Sequence, residues 1–332
     1  MAQFGQAWLF VHNMNNKLGE IDLVYLWVDG NDPKWQAKKQ ATTGVLSDNS
    51  ETNNKGRYIS NDELRYALRS AEKHAPWIRK IFIVTDDQRP AWLTTDHPRI
   101  EVVDHKEIMP AEALPSFNST VIEYFLYRIP GLAPRFLFAN DDMFFNADIQ
   151  PGFFFAADGY PIVRLKKKFF GKWHPQLTAF FKRLAGKKLG QYAQKLADSA
   201  QAVEQLTGTY YSGVPHHNID AFLTADYRHA VEEVFAERVR ESQTHHVRTF
   251  GDIHRTAFIY YALGIGHGHL KYVNRQEASR ILVHKHDFTA YIKRYQPTLF
   301  CLNDSQRVTD ADRTKIRPFL EALFPTPSTF EK

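Results

Sequence analysis

Short apolar runs alternate with amphipathic stretches along the first half of the chain. Four runs of strand length predict β-strands, at Ile21–Val28, Lys80–Thr85, Arg99–Asp104 and Arg135–Ala139. Between them, apolar residues at helical spacing predict helices at Asn61–Ala75 and Ser119–Ile129. Asn61 can cap the first helix, and Pro76 and Pro130 follow the two helices. Strands that alternate with helices indicate an α/β fold with a Rossmann-like, mostly parallel sheet flanked by helices.

The second half of the chain has a different pattern. Helical spacing predicts further helices at Lys188–Gln205, Ile219–Arg240, Asp252–Leu263 and Asp310–Leu323. Residues 158–190 are irregular, basic and aromatic. We therefore divide the chain into an α/β lobe at 1–157, a basic and helical insertion at 158–212, and a mainly helical part at 213–332 that completes the same domain.

Acidic residues follow all four predicted strands. The groups are Asp29-Gly30-Asn31-Asp32, Asp86-Asp87, Asp104 and Asn140-Asp141-Asp142. Carboxyl ends of parallel strands meet at one sheet edge, where clustered carboxylates would suit Mg²⁺ or Mn²⁺ on phosphate oxygens. Each group alone could instead be an ordinary turn, because Asp and Asn favour turns. The chain has neither a GxxxxGK[ST] nor a GxGxxG motif, which argues against a P-loop NTPase or an ordinary dinucleotide enzyme.

Positive charge is concentrated in one segment. The 332 residues include 42 Lys and Arg against 37 Asp and Glu, a formal net charge of +5. Nine basic and no acidic residues lie at 161–190, and the rest of the chain has 33 basic against 37 acidic residues. Aromatic residues are interleaved with the basic ones in Arg164–Lys188. This segment could bind along an anionic acceptor molecule, bind to anionic lipid, or be an ordinary solvent-exposed face. It has no nucleic-acid-binding signature, so no nucleic-acid partner is predicted.

The composition also bears on where the protein works. A single cysteine, Cys301, excludes an intramolecular disulfide and a thiolate zinc cluster. No apolar run reaches the ~20 residues that a membrane span needs, and the N-terminus lacks the pattern of a secretory signal. We predict a cytoplasmic protein, either soluble or bound peripherally to the inner face of the membrane.

Several of these segments together resemble one known family. Ile21–Trp35 (IDLVYLWVDGNDPKW) is similar to the first conserved region of the Stealth family of sugar-1-phosphate transferases, and residues 57–145 to the second. Val214–Asp220 (VPHHNID) with His245–Ile253 (HHVRTFGDI) resembles the third region, and Phe300–Asp304 (FCLND) the fourth. The family includes bacterial capsular polysaccharide phosphotransferases and the catalytic subunit of the lysosomal-enzyme N-acetylglucosamine-1-phosphotransferase.

The resemblance implies a fold, a reaction and partners. The fold would be glycosyltransferase-A-like, with residues 1–157 binding a nucleotide-sugar donor such as UDP-GlcNAc. With Mg²⁺ or Mn²⁺, the enzyme would transfer a sugar-1-phosphate, usually N-acetylhexosamine-1-phosphate, to an acceptor sugar hydroxyl and release UMP. The acceptor would be an anionic capsular or surface polysaccharide, and the enzyme would work at the membrane or in a capsule-assembly complex.

The resemblance also implies roles for individual residues. Asp142 and Asp304, with Asn303, would hold the metal on the pyrophosphate. Arg248 would stabilise charge on the transferring phosphoryl group. His217 would be the general base on the acceptor hydroxyl, with the adjacent His216 as the alternative. Residues that would bind the donor or shape its pocket are Trp27, Asp29, Gly30, Arg57, Asn61, Arg65, Arg69, Asn118 and Asp141.

Less specific interpretations of the same residues stay open. Arg248 could pair with Asp252 at i,i+4, and Asp304 could cap a short turn. The histidines of His267–His269 and His284–His286 resemble metal ligands, but no HExxH motif or third ligand accompanies them. For the whole chain, the alternatives are a metal-dependent glycosyltransferase that releases UDP, using the acidic motif after the fourth strand, and a non-catalytic polyanion-binding protein.

Overall fold

The computed structural model describes residues 18–48, 50, 52–94, 96–168, 173, 184 and 190–332. Its strands are β1 Ile21–Leu26, β2 Ile81–Thr85, β3 Ile100–Asp104, β4 Arg135–Asn140, β5 Met143–Phe145, β6 Ile162–Lys166, β7 Val214–Pro215, β8 Asp220–Leu223, β9 His269–Tyr272, β10 Ala278–Leu282 and β11 Leu299–Asn303. Its α-helices are α1 Pro33–Thr43, α2 Glu63–His74, α3 His105–Ile108, α4 Ser119–Tyr124, α5 Gln191–Thr207, α6 Thr224–His229, α7 Ala236–Gln243, α8 Thr256–Gly264, α9 Phe288–Tyr295, α10 Asp310–Arg313 and α11 Ile316–Leu323. Within these ranges, no helix is both long and apolar enough to cross a membrane.

A five-stranded sheet forms the centre of the fold. Its strand order is β3-β2-β1-β4-β8, in which the first four strands are parallel and β8 is antiparallel to β4. All six residues of β1 are buried, as expected of a strand that is covered on both faces. The buried carboxylate of this strand, Asp22, pairs with Arg79 at 2.6 Å and accepts a hydrogen bond from the Ala133 N–H at 2.7 Å. The sheet confirms the predicted Rossmann-like α/β class.

Helices cover both faces of this sheet. On one face, Leu23 and Tyr25 of β1 pack in a core with α2 and with the small sheet β10-β11-β5. On the other face, Val24 and Leu26 pack in a second core with α4 and α8. Successive β1 side chains therefore point into different cores, which explains why the strand is apolar at nearly every position.

Two small sheets place the second half of the chain beside the central sheet. β11 is parallel to β10 and antiparallel to β5, and β6 lies between β7 and β9. β5 begins directly after Asp142, and the Leu302 N–H of β11 donates to the Asp142 carbonyl at 3.0 Å. This pairing brings Asn303 and Asp304, at the end of β11, next to the end of β4.

The structure corrects two of the predicted helices. The helix predicted at Ile219–Arg240 is wrong at its start, because Asp220–Leu223 is strand β8 at the edge of the central sheet. The chain then continues through α6, a π-helical segment and α7. The helix predicted at Ser119–Ile129 ends at Tyr124 and is followed by a 3₁₀ turn. In both places, tertiary packing overrides a local helical pattern.

The predicted basic segment Arg164–Lys188 lies largely outside the described residues, which omit 169–172, 174–183 and 185–189. At its start, Arg164 is buried and places its guanidinium 3.6 Å from the centre of the Phe153 ring. Arg164 is therefore part of the core, whereas Lys167 and Lys168 are exposed.

Candidate active site

A cleft of about 640 Å³ lies at the carboxyl ends of β1, β4 and β11. Eight of the predicted site residues line it: Trp27, Arg57, Asp141, Asp142, His217, Arg248, Asn303 and Asp304. Sites in open α/β sheets lie at this edge because parallel strands all end there. The volume is within the usual range of small-molecule sites.

Four carboxylates, here called the acidic cluster, line one part of the cleft: Glu63, Asp141, Asp142 and Asp304. Burial raises the pKa of all four, and the charges of the neighbouring carboxylates raise them further. The pKa of Asp142 rises to about 7, and that of Asp141 lies well above its usual value. Because buried carboxylates close to one another disfavour their charged forms, the acidic cluster favours a positively charged ligand.

Asp142 has a hydrogen-bond partner on only one of its two carboxylate oxygens. The thiol of the buried Cys301 donates to its Oδ2, with the sulfur 3.2 Å away. Its Oδ1 is buried and has no hydrogen-bond partner among the described residues. Leaving a buried acceptor unpaired costs about 1–3 kcal/mol, so a ligand that satisfied this oxygen would stabilise the site.

Asp304 has more partners than Asp142. Arg313 donates to both of its carboxylate oxygens, from Nε at 2.7 Å and from Nη2 at 3.0 Å. The Ser305 N–H donates to Oδ1 at 2.5 Å, which agrees with the interpretation of Asp304 as a turn cap. Burial raises the pKa of Asp304, and the contacts with Arg313 act in the opposite direction. The carboxylate is thus fixed in one orientation at the cleft.

The acidic cluster fits a hard divalent cation. Carboxylate oxygens are preferred ligands of Mg²⁺ and Mn²⁺, and the unpaired Oδ1 of Asp142 offers one such oxygen. Within the described part of the chain, no three His, Cys, Asp or Glu side chains converge closely enough to hold a metal ion by themselves, including the histidines at 267–269 and 284–286. Mg²⁺ is commonly bound in this incomplete way, by one or two carboxylates together with substrate phosphates and water.

Basic side chains also line the cleft, among them Arg57, Lys195, Arg248, Arg255 and Arg280. Arg248 donates to the hydroxyl of Ser119, the first residue of α4. The alternative pairing of Arg248 with Asp252 does not occur, because Asp252 pairs with Lys195 at 3.3 Å and with His245 at 2.7 Å. Among the described residues Arg248 has no carboxylate partner, so its guanidinium can pair with a bound anion.

The two adjacent histidines have different surroundings. His217 lines the cleft, and its Nε2 lies 3.4 Å from the amide nitrogen of Asn303. Burial and nearby cations lower the pKa of His217 to about 3, so its ring is neutral at pH 7. His216 lies outside the cleft lining, is 1% exposed, and contacts the Asp220 carboxylate at 3.1 Å. Of the two rings, only that of His217 can reach a ligand in the cleft.

Asp29 and Gly30 form the turn after β1 and lie outside the cleft lining. The Asp29 carboxylate accepts a hydrogen bond from the Asn31 N–H at 2.9 Å, as in an ordinary Asx turn. The Gly30 N–H donates to the Tyr58 carbonyl at 2.7 Å, and a Cβ at position 30 would collide with that carbonyl. Gly30 therefore permits a close backbone approach to Tyr58, a cleft residue, and its contact with the donor stays a prediction.

Asn61 and Asn118 do not line the cleft, but their side chains form hydrogen bonds that position residues of the cleft. The Asn61 amide donates to Glu63 of the acidic cluster at 2.7 Å. Asn118 is fully buried, caps α4 by accepting from the Thr120 N–H at 3.1 Å, and donates to Asp252 at 3.0 Å. Asn118 thus joins the start of α4 to the segment that carries Arg248.

Arg65 and Arg69 do not line the cleft. Arg69 is 7% exposed and donates to the two oxygens of Glu331 at 2.8 and 2.9 Å and to the Phe324 carbonyl at 2.8 Å. Arg65 pairs with Asp62 at 3.2 Å. Protein carboxylates thus offset the like charges of both arginines, and Arg69 attaches the C-terminal segment to α2. Their role in binding donor phosphates stays a prediction.

We expect Arg69→Ala to lower the free energy of unfolding by about 3 kcal/mol, because it leaves the half-buried Glu331 carboxylate without its partner. Ligand affinity in the cleft should stay unchanged. Urea unfolding and calorimetric titration with UDP measure the two quantities. If Arg69→Ala had normal stability but bound UDP more weakly, Arg69 would bind the donor phosphates.

Many residues of the cleft were not predicted as site residues from the sequence, among them the charged residues Glu63, Arg255 and Arg280. Glu63 begins α2, where an acidic residue is expected for helix stability alone. Arg255 follows the third family-like region closely enough to have been a candidate, and it pairs with Glu123 at 2.7 Å. Arg280 lies on β10, a strand that was not predicted, so no local signal indicated it.

The fold and the site together define a class of protein. It is a Rossmann-like α/β protein whose sheet edge carries a cleft lined by clustered carboxylates, several guanidinium groups and a neutral histidine. Three family models match the chain: Stealth protein CR1, conserved region 1, over residues 19–44; Stealth protein CR2, conserved region 2, over 57–163; and Stealth protein CR4, conserved region 4, over 290–332. The chain belongs to the Stealth family, as its sequence predicted.

Similar proteins of known name are bacterial phosphotransferases. The chain is 34% identical to the exopolysaccharide phosphotransferase SCO6023 of Streptomyces coelicolor, across 94% of this chain and 52% of that protein. It is 29% identical to the capsular polysaccharide phosphotransferase SacB of Neisseria meningitidis serogroup A, across 94% of this chain and 57% of that protein. The chain thus spans about half the length of these relatives.

Solved structures of glycosyltransferases are distantly similar. The galactosyltransferase LgtC aligns with a TM-score of 0.43 at 11% identity, covering 93% of this chain and 96% of that one. The glycosyltransferase GlyE of Streptococcus pneumoniae aligns with a TM-score of 0.40 at 10% identity, covering 92% of this chain and 63% of that one. At these scores the likeness adds nothing to what the strand order establishes.

Proposed function

We propose that this chain transfers a sugar-1-phosphate from a UDP-sugar to an acceptor sugar hydroxyl, with the help of a divalent metal. The transferred group is N-acetylhexosamine-1-phosphate, the product is a phosphodiester in a capsular or extracellular polysaccharide, and UMP is released. One observation carries the proposal: a single cleft contains the acidic cluster, the neutral His217 and Arg248, which pairs with no carboxylate of the described residues. Membership of the Stealth family and the phosphotransferase names of the relatives support it.

The reaction requires positioning and charge neutralisation more than covalent help from the protein. The acceptor oxygen attacks the phosphorus next to the sugar, and the bond from that phosphorus to the oxygen of UMP breaks. Arg248 pairs with the oxygens of the transferring phosphoryl group, for which its planar fork is suited. His217 accepts the proton of the attacking hydroxyl. Burial and nearby cations lower the pKa of His217 to about 3, which makes the ring a weak base; a bound pyrophosphate would offset those cations and raise this pKa towards the working pH.

The acidic cluster supplies the site for the metal. Asp142 would provide its Oδ1, which has no partner among the described residues, and Asp304 and Asp141 line the cleft beside it. The amide nitrogen of Asn303, the third predicted metal ligand, lies 3.4 Å from Nε2 of His217. A divalent cation bound there would neutralise charge on the pyrophosphate. Trp27 and Arg57 line the same cleft and are proposed to contact the donor.

We expect His217→Ala to lower kcat by about 10²-fold or more, the usual contribution of a general base. His216→Ala should lower the melting temperature, since it breaks the buried contact with Asp220, while kcat changes much less. Steady-state kinetics and thermal unfolding of both variants measure this. If His216→Ala lost kcat and His217→Ala kept it, the assignment of the base would be reversed.

Metal binding should strengthen as pH rises. Burial raises the pKa of Asp142 from 3.8 to about 7, so the metal-free protein loses stability as pH rises between these values. A cation binds the ionised carboxylate and reverses that loss. Saturating Mg²⁺ should therefore raise the melting temperature more at about pH 8 than at about pH 5. In Asp142→Asn the difference between the two increments should become smaller, with the rest due to Glu63 and Asp141, whose pKa values are also raised. A difference of wild-type size in that variant would contradict the account.

The experiment that tests the proposed function is a screen of UDP- and GDP-sugars with Mg²⁺ or Mn²⁺, in which released nucleotides are separated by chromatography. UMP from a UDP-sugar, dependent on metal and acceptor, is the expected result. Release of UDP would favour the metal-dependent glycosyltransferase. Consumption of no nucleotide sugar under any condition would favour the non-catalytic polyanion-binding protein.

A further inference from the structure

A second groove, with a volume of about 1010 Å³, joins the cleft. Six of the described residues line both the groove and the cleft: Tyr192, Pro215, His217, Arg280, Leu282 and Lys285. From this junction the groove extends past β10 to α9. A chain molecule lying in the groove would therefore place one end beside His217.

The groove is strongly basic. Among the described residues, seven basic side chains and one carboxylate line it: Lys166, Lys167, Lys168, Arg275, Arg280, Lys285, Arg294 and Asp287. The carboxylate, Asp287, caps α9 by accepting from the Ala290 N–H at 2.8 Å. No carboxylate in the described part of the chain pairs with any of the seven. The positive charge of the groove is thus uncompensated and favours an anion.

Tyrosines line the groove together with these cations. The six that line the groove are Tyr192, Tyr210, Tyr211, Tyr260, Tyr291 and Tyr295. On α9, the ring centres of Tyr291 and Tyr295 lie 4.6 Å apart, and Arg275 and Arg294 lie 5.0 and 5.2 Å from the Tyr295 ring. A tyrosine offers a flat apolar face, against which the C–H face of a sugar ring can pack, and a hydroxyl for polar contacts.

We propose that this groove binds the acceptor as a chain of sugars joined by phosphodiesters, with its reacting hydroxyl at His217. The cations would pair with the phosphodiesters and the tyrosines would pack against the sugars between them. The inference rests on the proposed function for the reaction itself. A neutral polysaccharide would leave seven cations unpaired, and a flat lipid surface would not enter a groove, so an anionic polysaccharide is the better ligand.

The test compares two double variants with the same change of charge. Lys168→Glu with Arg294→Glu alters the groove, whereas Lys73→Glu with Lys293→Glu is the control, because Lys293 neighbours Arg294 on α9 and neither control residue lines the groove. The probe is a fluorescently labelled oligomer of N-acetylglucosamine-1-phosphate, with a neutral chitin oligomer of the same length beside it. The groove variant should bind the anionic probe at least about tenfold more weakly than the control, as expected for lost charge-assisted contacts. The neutral oligomer should bind weakly to both.

Equal affinity of the two variants for the anionic probe, or equally tight binding of the neutral oligomer, would overturn the proposal. So would binding to phosphatidylglycerol vesicles that only the groove variant loses, which would assign the groove to a membrane. If the groove variant unfolds, Lys168→Gln with Arg294→Gln replaces it. Groove-dependent binding without UMP release from any nucleotide sugar would support the acceptor groove and contradict the proposed reaction. UMP release without groove-dependent binding would support the reaction and contradict the acceptor groove.

Discussion

Asp142→Asn is expected to lower kcat for the proposed sugar-1-phosphate transfer at least about a thousandfold, because it removes the carboxylate that we propose holds the metal on the pyrophosphate. The variant should fold normally. In the metal-free protein it should even be slightly more stable, since burial and neighbouring carboxylates disfavour the charge of Asp142. Turnover at saturating metal, together with thermal unfolding without metal, measures both expectations.

Asp87→Asn provides a matched control at the same sheet edge. Asp87 follows β2, lies outside the cleft lining and has a φ of 54°, a conformation that Asn adopts readily. Its turnover should be close to that of the wild type. If Asp142→Asn retained comparable turnover, Asp142 would have no role in catalysis.

Arg248→Ala is expected to lower kcat about 10³-fold, the usual effect of losing an arginine that stabilises a transferring phosphoryl group. Donor KM should change much less, because the contact strengthens as charge moves onto the phosphoryl oxygens. Arg248→Lys should recover only part of the loss, since a single ammonium cannot reproduce the bidentate fork. Single-turnover rates with a saturating donor measure the effect.

The control for Arg248 is Arg240→Ala, an exposed residue of α7 outside the cleft lining. It removes the same charge and should leave kcat unchanged. A loss confined to KM in Arg248→Ala would show that this residue binds the ground state of the donor and does not stabilise the transition state.

The central strands could be predicted from the sequence because burial on both faces makes them continuously apolar. β1 is an example, with all six residues buried. The edge strand β8 could not be predicted in this way. Asp220–Leu223 precedes residues at helical spacing, and this segment becomes a strand by pairing with β4. β10 and β11 likewise depend on long-range pairing, which local periodicity does not report.

The same distinction applies to the site. The resemblance named eight residues that do line the cleft, because its motifs follow the strand ends that form it. It did not indicate that Arg69 lies outside the cleft lining, because its partner Glu331 is 262 residues away along the chain. The motif also did not indicate the contact of Gly30 with the Tyr58 carbonyl, because that contact joins two turns that are distant along the chain.

The most direct test of the central claim follows the phosphorus atom next to the sugar. A UDP-N-acetylhexosamine donor labelled with ³²P at that position is incubated with the protein, metal and an acceptor oligosaccharide. We predict that the label moves into the acceptor product as a phosphodiester and that the released nucleotide is unlabelled UMP. Label recovered in UDP, with an unlabelled sugar added to the acceptor, would contradict the account.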